Sequence, residues 1–293
     1  MKTRIISGLV IAAVVIALLI IGTTVAPLVI TVFLGLLAAV AVFEMLCNAA
    51  KINDLLSLAV ASLFSLVYVF FKDSAFADLV DKKFIDTQLS GNLESGWKWL
   101  RQNLDTLAFA IIIAFVVLAV ALIIRNHKKF SMGQIAALVG MPIIISSAFL
   151  CLGSIINSTN GIYYLLLLIN FSSVCDMGAY FIGVNFGSHK LCPEISPKKT
   201  VEGALGGILS SIIVSFVLTL IFGVNKAYIL IPLTVLFCII GMMGDLFASV
   251  IKRSVGLKDY GSLIPGHGGI LDRFDSILLI APVLYIFVKF GVL

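Results

Sequence analysis

From Leu107 to Ile124 the chain reads LAFAIIIAFVVLAVALII, an apolar run without one charged side chain. Runs of this kind recur along the sequence, and they limit the fold more than any other feature. In hydrocarbon a backbone must satisfy its own N–H and C=O groups. Uncharged runs of roughly 17–25 residues at about 1.5 Å rise fit a helical span, not the alternating strand of a barrel. A chain of 293 residues that is 61% hydrophobic and 12% charged, with a mean hydropathy of +1.17, could not hide its apolar side chains in a soluble fold. The expected class is all-α, a polytopic integral membrane helical bundle.

Nine candidate spans follow: Ile5 to Ile21, Ala26 to Phe43, Leu55 to Phe71, Leu107 to Ile124, Ile135 to Ile156, Ile162 to Ile182, Gly203 to Phe222, Ala227 to Ile251, and Ser276 to Val292. The first, behind Lys2 and Arg4, outruns the roughly 7–15 apolar residues of a signal-peptide core and reads as a retained anchor. Residues 1–156 are expected to anchor the protein and shape a lipid cavity. Residues 157–293 form the catalytic region of the same continuous membrane domain. Between Lys72 and Asp105 a connector holds GWKWL, where Trp97 and Trp99 suit an interfacial amphipathic helix.

Lysine and arginine resist transfer across a membrane, so their distribution orients the spans. With a cytoplasmic N-terminus, that side collects Lys2, Arg4, Lys51, Arg125, Lys128, Lys129, Lys190, Lys198, Lys199, Lys252, Arg253, Lys258 and Arg273. The opposite side receives Lys226, Lys289 and the Lys72–Asp105 connector, whose acids Asp73, Asp78, Asp81, Asp86, Glu94 and Asp105 leave it without net positive charge. Five cysteines, Cys47, Cys151, Cys175, Cys192 and Cys238, lack CxxC spacing and read as buried thiols rather than a zinc site or a disulfide framework.

Three clusters in the second half carry the candidate chemistry. In GMMGDLFASVIKR, helical spacing puts Gly241, Asp245, Ser249 and Lys252 on one face and aims a carboxylate from within a span. A structural pair of Asp245 with Lys252 or Arg253 is the alternative. In Asp272-Arg273-Phe274-Asp275 two acids three residues apart suit a hard cation, and helix capping is the competing role. Just upstream, Pro265-Gly266-His267-Gly268-Gly269 offers turn flexibility and backbone N–H groups that an approaching phosphate could use, or merely a turn. The third cluster aligns Ser173, Asp176, Tyr180 and Gly183 as a polar stripe, followed by Ser196-Pro197-Lys198-Lys199-Thr200 and Glu202-Gly203. Adjacent lysines and hydroxyls can bind phosphate, or can simply form a solvated loop obeying the positive-inside bias.

Together the clusters supply the inward acids Asp176, Asp245, Asp272 and Asp275 with bases and glycine-rich turns at one membrane face. That combination indicates metal-assisted chemistry on a phosphorylated, membrane-borne substrate. No zinc-type His/Cys set, Ser-His-Asp ordering or Walker lysine loop is present, which disfavours hydrolase and P-loop readings.

The stretch SVIKRSVGLKDYGSLIPGHGGILDRFD resembles the signature of the phosphatidate cytidylyltransferases, also called CDP-diacylglycerol synthases: S, K-R, then K-D, P-x-H-G-G and D-R-x-D. DMGAYFIGVNFGSHKL and SPKKTVEG resemble a second conserved region of that family. The resemblance implies condensation of CTP with phosphatidic acid to CDP-diacylglycerol and pyrophosphate, at the inner (cytoplasmic) membrane with the site facing the cytoplasm. It implies Mg²⁺ held by Asp245, Asp272 and Asp275, with K⁺ as the candidate second cation. The same three acids with Lys252, Arg253, Lys258, His267 and Arg273 are the catalytic candidates. Asp176, Lys198, Lys199, Thr200, Ser249, Asp259, Gly268 and Gly269 are the substrate-binding candidates. Membrane lipids and a second copy of the chain are the candidate partners, and no nucleic acid is expected.

The chain departs from the family pattern at Ala248, where Glu is usual, and at Val184 and Ser188, where basic residues are usual. Ala248 follows Asp245 by three residues, so a Glu there would add charge beside the expected cation cavity. A CTP-using lipid kinase or other transferase is the related alternative, and an ion-coupled transporter the alternative of a different class.

Overall fold

The computed structural model describes residues 27–73, 99–100, 102–224, 227–265 and 268–293. The first candidate span, most of the Lys72–Asp105 connector with Trp97, and His267 lie outside them. Among the described residues seven helical segments are long and apolar enough to cross a membrane. Nine spans were expected. The final helix begins at Leu271 and takes Asp272, Arg273 and Asp275 into its opening turns, so it is more charged than the other seven.

The chain divides into two compact units, residues 1–157 with 259–273, and residues 158–258 with 274–293. In the first unit α1 (Pro27–Glu44) runs into a π-helical turn, Met45–Ala49, followed by α2 (Leu55–Lys72), α3 (Leu104–Arg125) and α4 (Met132–Ile156). Asp54 starts α2 by accepting the Ser57 amide at 3.0 Å. A capping box of Ser131 and Gln134 starts α4, and Gln134 Nε2 also donates to Ala50 O at 3.0 Å. The helices pack through stacked rings, with Phe64 and Phe115 centroids 4.1 Å apart. Outward on α3, Phe109, Val117, Leu118 and Ile124 are exposed, a surface that lipid rather than water can cover.

The second unit contains α5 (Gly161–Ile169), a π-helical turn (Asn170–Val174) and α6 (Cys175–Phe186), then the strands β1 (Lys190–Cys192) and β2 (Ser196–Thr200). It continues with α7 (Val201–Phe222), α8 (Ala227–Ser254) and, from Phe274, α9 (Leu271–Lys289). The strands form an antiparallel hairpin pairing Lys190 with Thr200, a small element beside the helices of the described residues. On α7 the buried residues are Gly203, Gly207, Ser211, Ser215 and Thr219, a small side chain at every fourth position. Where no hydrophobic effect joins helices, such a stripe allows close backbone approach. A Cβ at Gly203 would stand 2.7 Å from Ala179 O on α6. Polar bonds reinforce the packing: Asn170 Nδ2 donates to Ser211 O and Ser215 Oγ at 3.0 and 2.9 Å, and Thr234 Oγ1 donates to Ser215 Oγ at 2.9 Å.

Candidate active site

Each unit holds its own cluster of charge. In the second unit, β2 enters α7 with no intervening loop, and Thr200 is the cap: its Oγ1 accepts the Gly203 amide at 3.1 Å. Lys199, the preceding residue, is thereby fixed by strand pairing on one side and a helix start on the other. Its Nζ lies 2.5 Å from Asp245 Oδ2 on α8 and 3.9 Å from Asp176 Oδ1 on α6. Burial opposes the charge on Lys199, but Asp245 foremost, then Asp176 and Asp275, outweigh burial and hold the ammonium above its ordinary pKa. Asp176, Tyr180, Lys198, Lys199, Thr200 and Asp245 line a cavity of about 200 Å³.

Asp275, on α9, is close enough to Asp245 and Asp176 for their charges to repel. Lys252 Nζ lies 3.8 Å from Asp275 Oδ2, and the side chains are 10% and 14% exposed, so this pair is shielded from solvent. The alternative of a structural pair within the helix is not what forms: Asp245 meets Lys199, Lys252 turns to Asp275, and Arg253 Nη1 donates to Leu257 O at 3.0 Å beyond the end of α8. Helical spacing shows a shared face, but not which neighbouring element meets it. The stripe on α6 is likewise divided, because the π-helical turn ends at Val174 between Ser173 and Asp176. Ser249 is half-buried on α8, Lys258 is exposed, and Ala248 is buried at 8% exposure.

The first unit holds the segment from Asp259 to Arg273. Ile264 N donates to Gly268 O at 2.9 Å, and Gly268 turns the chain with a left-handed φ of 86°. Asp272 Oδ2 accepts the amides of Tyr260 and Gly269 at 2.7 and 3.0 Å. Glu44, at the end of α1, accepts those of Ile270 and Leu271 at 3.1 and 2.9 Å. The Gly269 amide, one of the N–H groups that the 265–269 turn offered to a phosphate, thus meets a carboxylate of the chain itself, as do the next two amides. Asp259 and Arg273 are exposed on either side. The sequence reading passed over Glu44, though one signal was present: it is the only charged residue from Ile5 to Ala50. An acid inside so long an apolar stretch needs a partner.

Chemically, the second unit's cluster sets three carboxylates against two ammonium groups, which leaves an excess of hard oxygen donors suited to a cation. Among the described residues, no three His, Cys, Asp or Glu side chains gather closely enough to hold a metal ion unaided. That still fits Mg²⁺, which commonly takes one or two carboxylates and completes its shell with phosphate oxygens and water.

A family profile described as the cytidylyltransferase family matches residues 2–291 of this chain. A protein named phosphatidate cytidylyltransferase from Staphylococcus saprophyticus is 36% identical over 173 residues, covering 58% of this chain and 66% of that protein. One of the same name from Staphylococcus aureus is 36% identical over 180 residues, covering 60% of this chain and 66% of that protein. The matched stretch therefore spans just under two thirds of the length of these relatives.

Proposed function

Because the chain belongs to the cytidylyltransferase family, we propose that it transfers the cytidylyl group of CTP to phosphatidic acid, releasing CDP-diacylglycerol and pyrophosphate. The reaction takes place at the cytoplasmic membrane, with the acid cluster on the cytoplasmic side where the basic loops collect. The observation that carries this reading is Lys199 held between Asp176 and Asp245 on the wall of a cavity that Lys198 also lines. Two adjacent cations and facing carboxylates suit a polyphosphate bound with a cation better than they suit a neutral ligand.

An oxygen of the phosphatidate phosphate attacks the α-phosphorus of CTP; the new P–O bond forms as the bond to the β-phosphate oxygen breaks, and pyrophosphate leaves with that electron pair. No protein nucleophile is needed, because the lipid phosphate is already an anion. The chain's task is to bring anions together in line and offset the charge that develops on the leaving group. Lys198 and Lys199 supply that offset in the cavity, and Lys252 pairs with Asp275 and orients it. Asp245 and Asp275 are the proposed holders of Mg²⁺, which when bound would neutralise charge on phosphate oxygens. The family resemblance adds Asp272 to that ligand set and K⁺ as a second cation; Asp272→Asn and replacement of K⁺ by choline in the assay test these two parts.

The test is purified protein with phosphatidate, Mg²⁺ and CTP labelled at the α-phosphate. Label in the organic phase together with released pyrophosphate is the expected result. Transfer of label only from γ-labelled CTP would make the protein a lipid kinase, and transfer of neither label would remove the reading. Topology has a separate check: Cys placed at Lys198 or Lys258 in a thiol-free background should react with an impermeant reagent from the cytoplasmic side.

A further inference from the structure

We infer that Glu44, in the first half of the chain, is a positioning residue for the signature segment Asp259–Arg273. The inference rests on the cytidylyl-transfer reading and goes beyond it, because it assigns a role to a helix outside every motif that suggested the reaction.

Glu44 closes α1 and is 5% exposed. Its two oxygens accept the amides of Ile270 and Leu271, at the very start of α9. A helix leaves its first N–H groups without partners of its own, and a carboxylate there also meets the positive end of the helix dipole. Asp272 holds the amides of Gly269 and Tyr260 in the same way. Close approach is possible because the facing residues are glycines: a Cβ on Gly261 or Gly269 would run into the Glu44 carboxylate. One turn beyond Glu44, Asn48 Nδ2 donates to Tyr260 O at 2.5 Å. Two side chains from one end of α1 and its π-helical extension therefore hold the segment at Tyr260 and again at Ile270–Leu271. Asp259, Asp272 and Arg273 lie on or beside the stretch so held, and Asp275 is the next turn of the same helix. Groups asked to align a triphosphate with a lipid phosphate need fixed geometry, and a displacement of about 1 Å can lower a rate on the order of 10²-fold.

The experiment uses full-length protein in detergent with Glu44→Gln, Glu44→Ala, Gly269→Ala, the Glu44→Ala/Gly269→Ala double variant and Asn48→Ala. Glu44→Gln loses the charge and turns an NH₂ toward backbone donors, so kcat should fall on the order of 10²-fold, with KM for CTP and phosphatidate changing less than about threefold. Amide exchange should accelerate across residues 260–271 while α2 and α7 keep their protection. Gly269→Ala should impair the wild type yet add little in the Glu44→Ala background, since the group its methyl would strike is gone. Asn48→Ala keeps the carboxylate and is the gentler variant if Glu44→Gln does not fold; its kcat loss should be smaller and its faster exchange centred on Tyr260.

Wild-type kcat with unchanged exchange at 260–271 would overturn the inference, as would strictly additive effects of the Glu44 and Gly269 changes. Loss of protection in all helices, with activity lost only in proportion to unfolded protein, would also overturn it by making Glu44 a general stabiliser. If the wild type itself transfers no label from CTP while exchange at 260–271 still responds to Glu44→Gln, the reaction reading fails and the anchoring stands.

Discussion

The two charged clusters use the same side chain for different ends. In the Lys199 cluster, carboxylates face ammonium groups around a cavity; in the Asp259–Arg273 segment, carboxylates face backbone amides. An ammonium can exchange its carboxylate for a phosphate when substrate arrives, because both are anions and the side chain can swing. A backbone amide has no such freedom, and its carboxylate sets the path of the chain. On the proposed function, acids of the first kind are placed to meet substrate, whereas those of the second kind also hold the path of the chain.

The strongest way to break this contrast is to neutralise acids of the first kind. Asp245→Asn or Asp275→Asn should lower turnover by at least ~100-fold, the scale of losing a main electrostatic stabiliser, while the elution profile in detergent stays that of folded protein. Near-normal turnover in both variants would separate the cluster from the reaction. Asp272→Asn should behave differently: besides lowering turnover, it removes a charged acceptor from two buried amides, a loss of about 1–3 kcal/mol. Its thermal midpoint should therefore fall below those of the Asp245 and Asp275 variants. Equal midpoints for all three would erase the distinction.

Smaller effects sharpen the contrast. Gly203→Ala places a methyl group against Ala179 O and should cost about 1–3 kcal/mol through overpacking, read as a lower thermal midpoint with a partial loss of turnover. An unchanged midpoint would mean that α6 and α7 can separate without consequence. The smallest effect is expected at Ala248, where Glu would add a buried carboxylate three residues from Asp245. More oxygen charge strengthens the binding of hard ions, so Ala248→Glu should lower the Mg²⁺ concentration for half-maximal activity with little change at saturation. An unchanged or higher concentration in folded protein would place this face of α8 away from the cation.

Much of this was legible in the sequence. Apolar runs give the helices, because stretches this long and without alternation satisfy their backbone in lipid as helices and not as barrel strands, and helix spacing brings Asp245 and Lys252 to one face of α8. The partners were not legible. Lys199 reaches Asp245 from a strand, and the β1–β2 hairpin lies in residues too polar and irregular to announce a strand pattern. Gly183 read as part of a polar stripe and Gly203 as the start of a span, but both serve as points of helix contact, a role visible only once α6 and α7 are known to be neighbours. The Gly269 amide looked available to phosphate because a sequence cannot show that Asp272 turns back to accept it, nor that Glu44, 226 residues before Ile270, holds the two amides that follow.

The absence of any loop between β2 and α7 also decides where the chain tolerates added length. An inserted residue between Lys199 and Val201 would rotate the helix beneath the Thr200 cap by about 100° and carry the ammonium away from both acids. Pro193 and Glu194, at the exposed tip of the hairpin, stand clear of that constraint. A short epitope or fluorophore tag introduced there would report on the protein in a membrane while leaving the Lys199 register as it is.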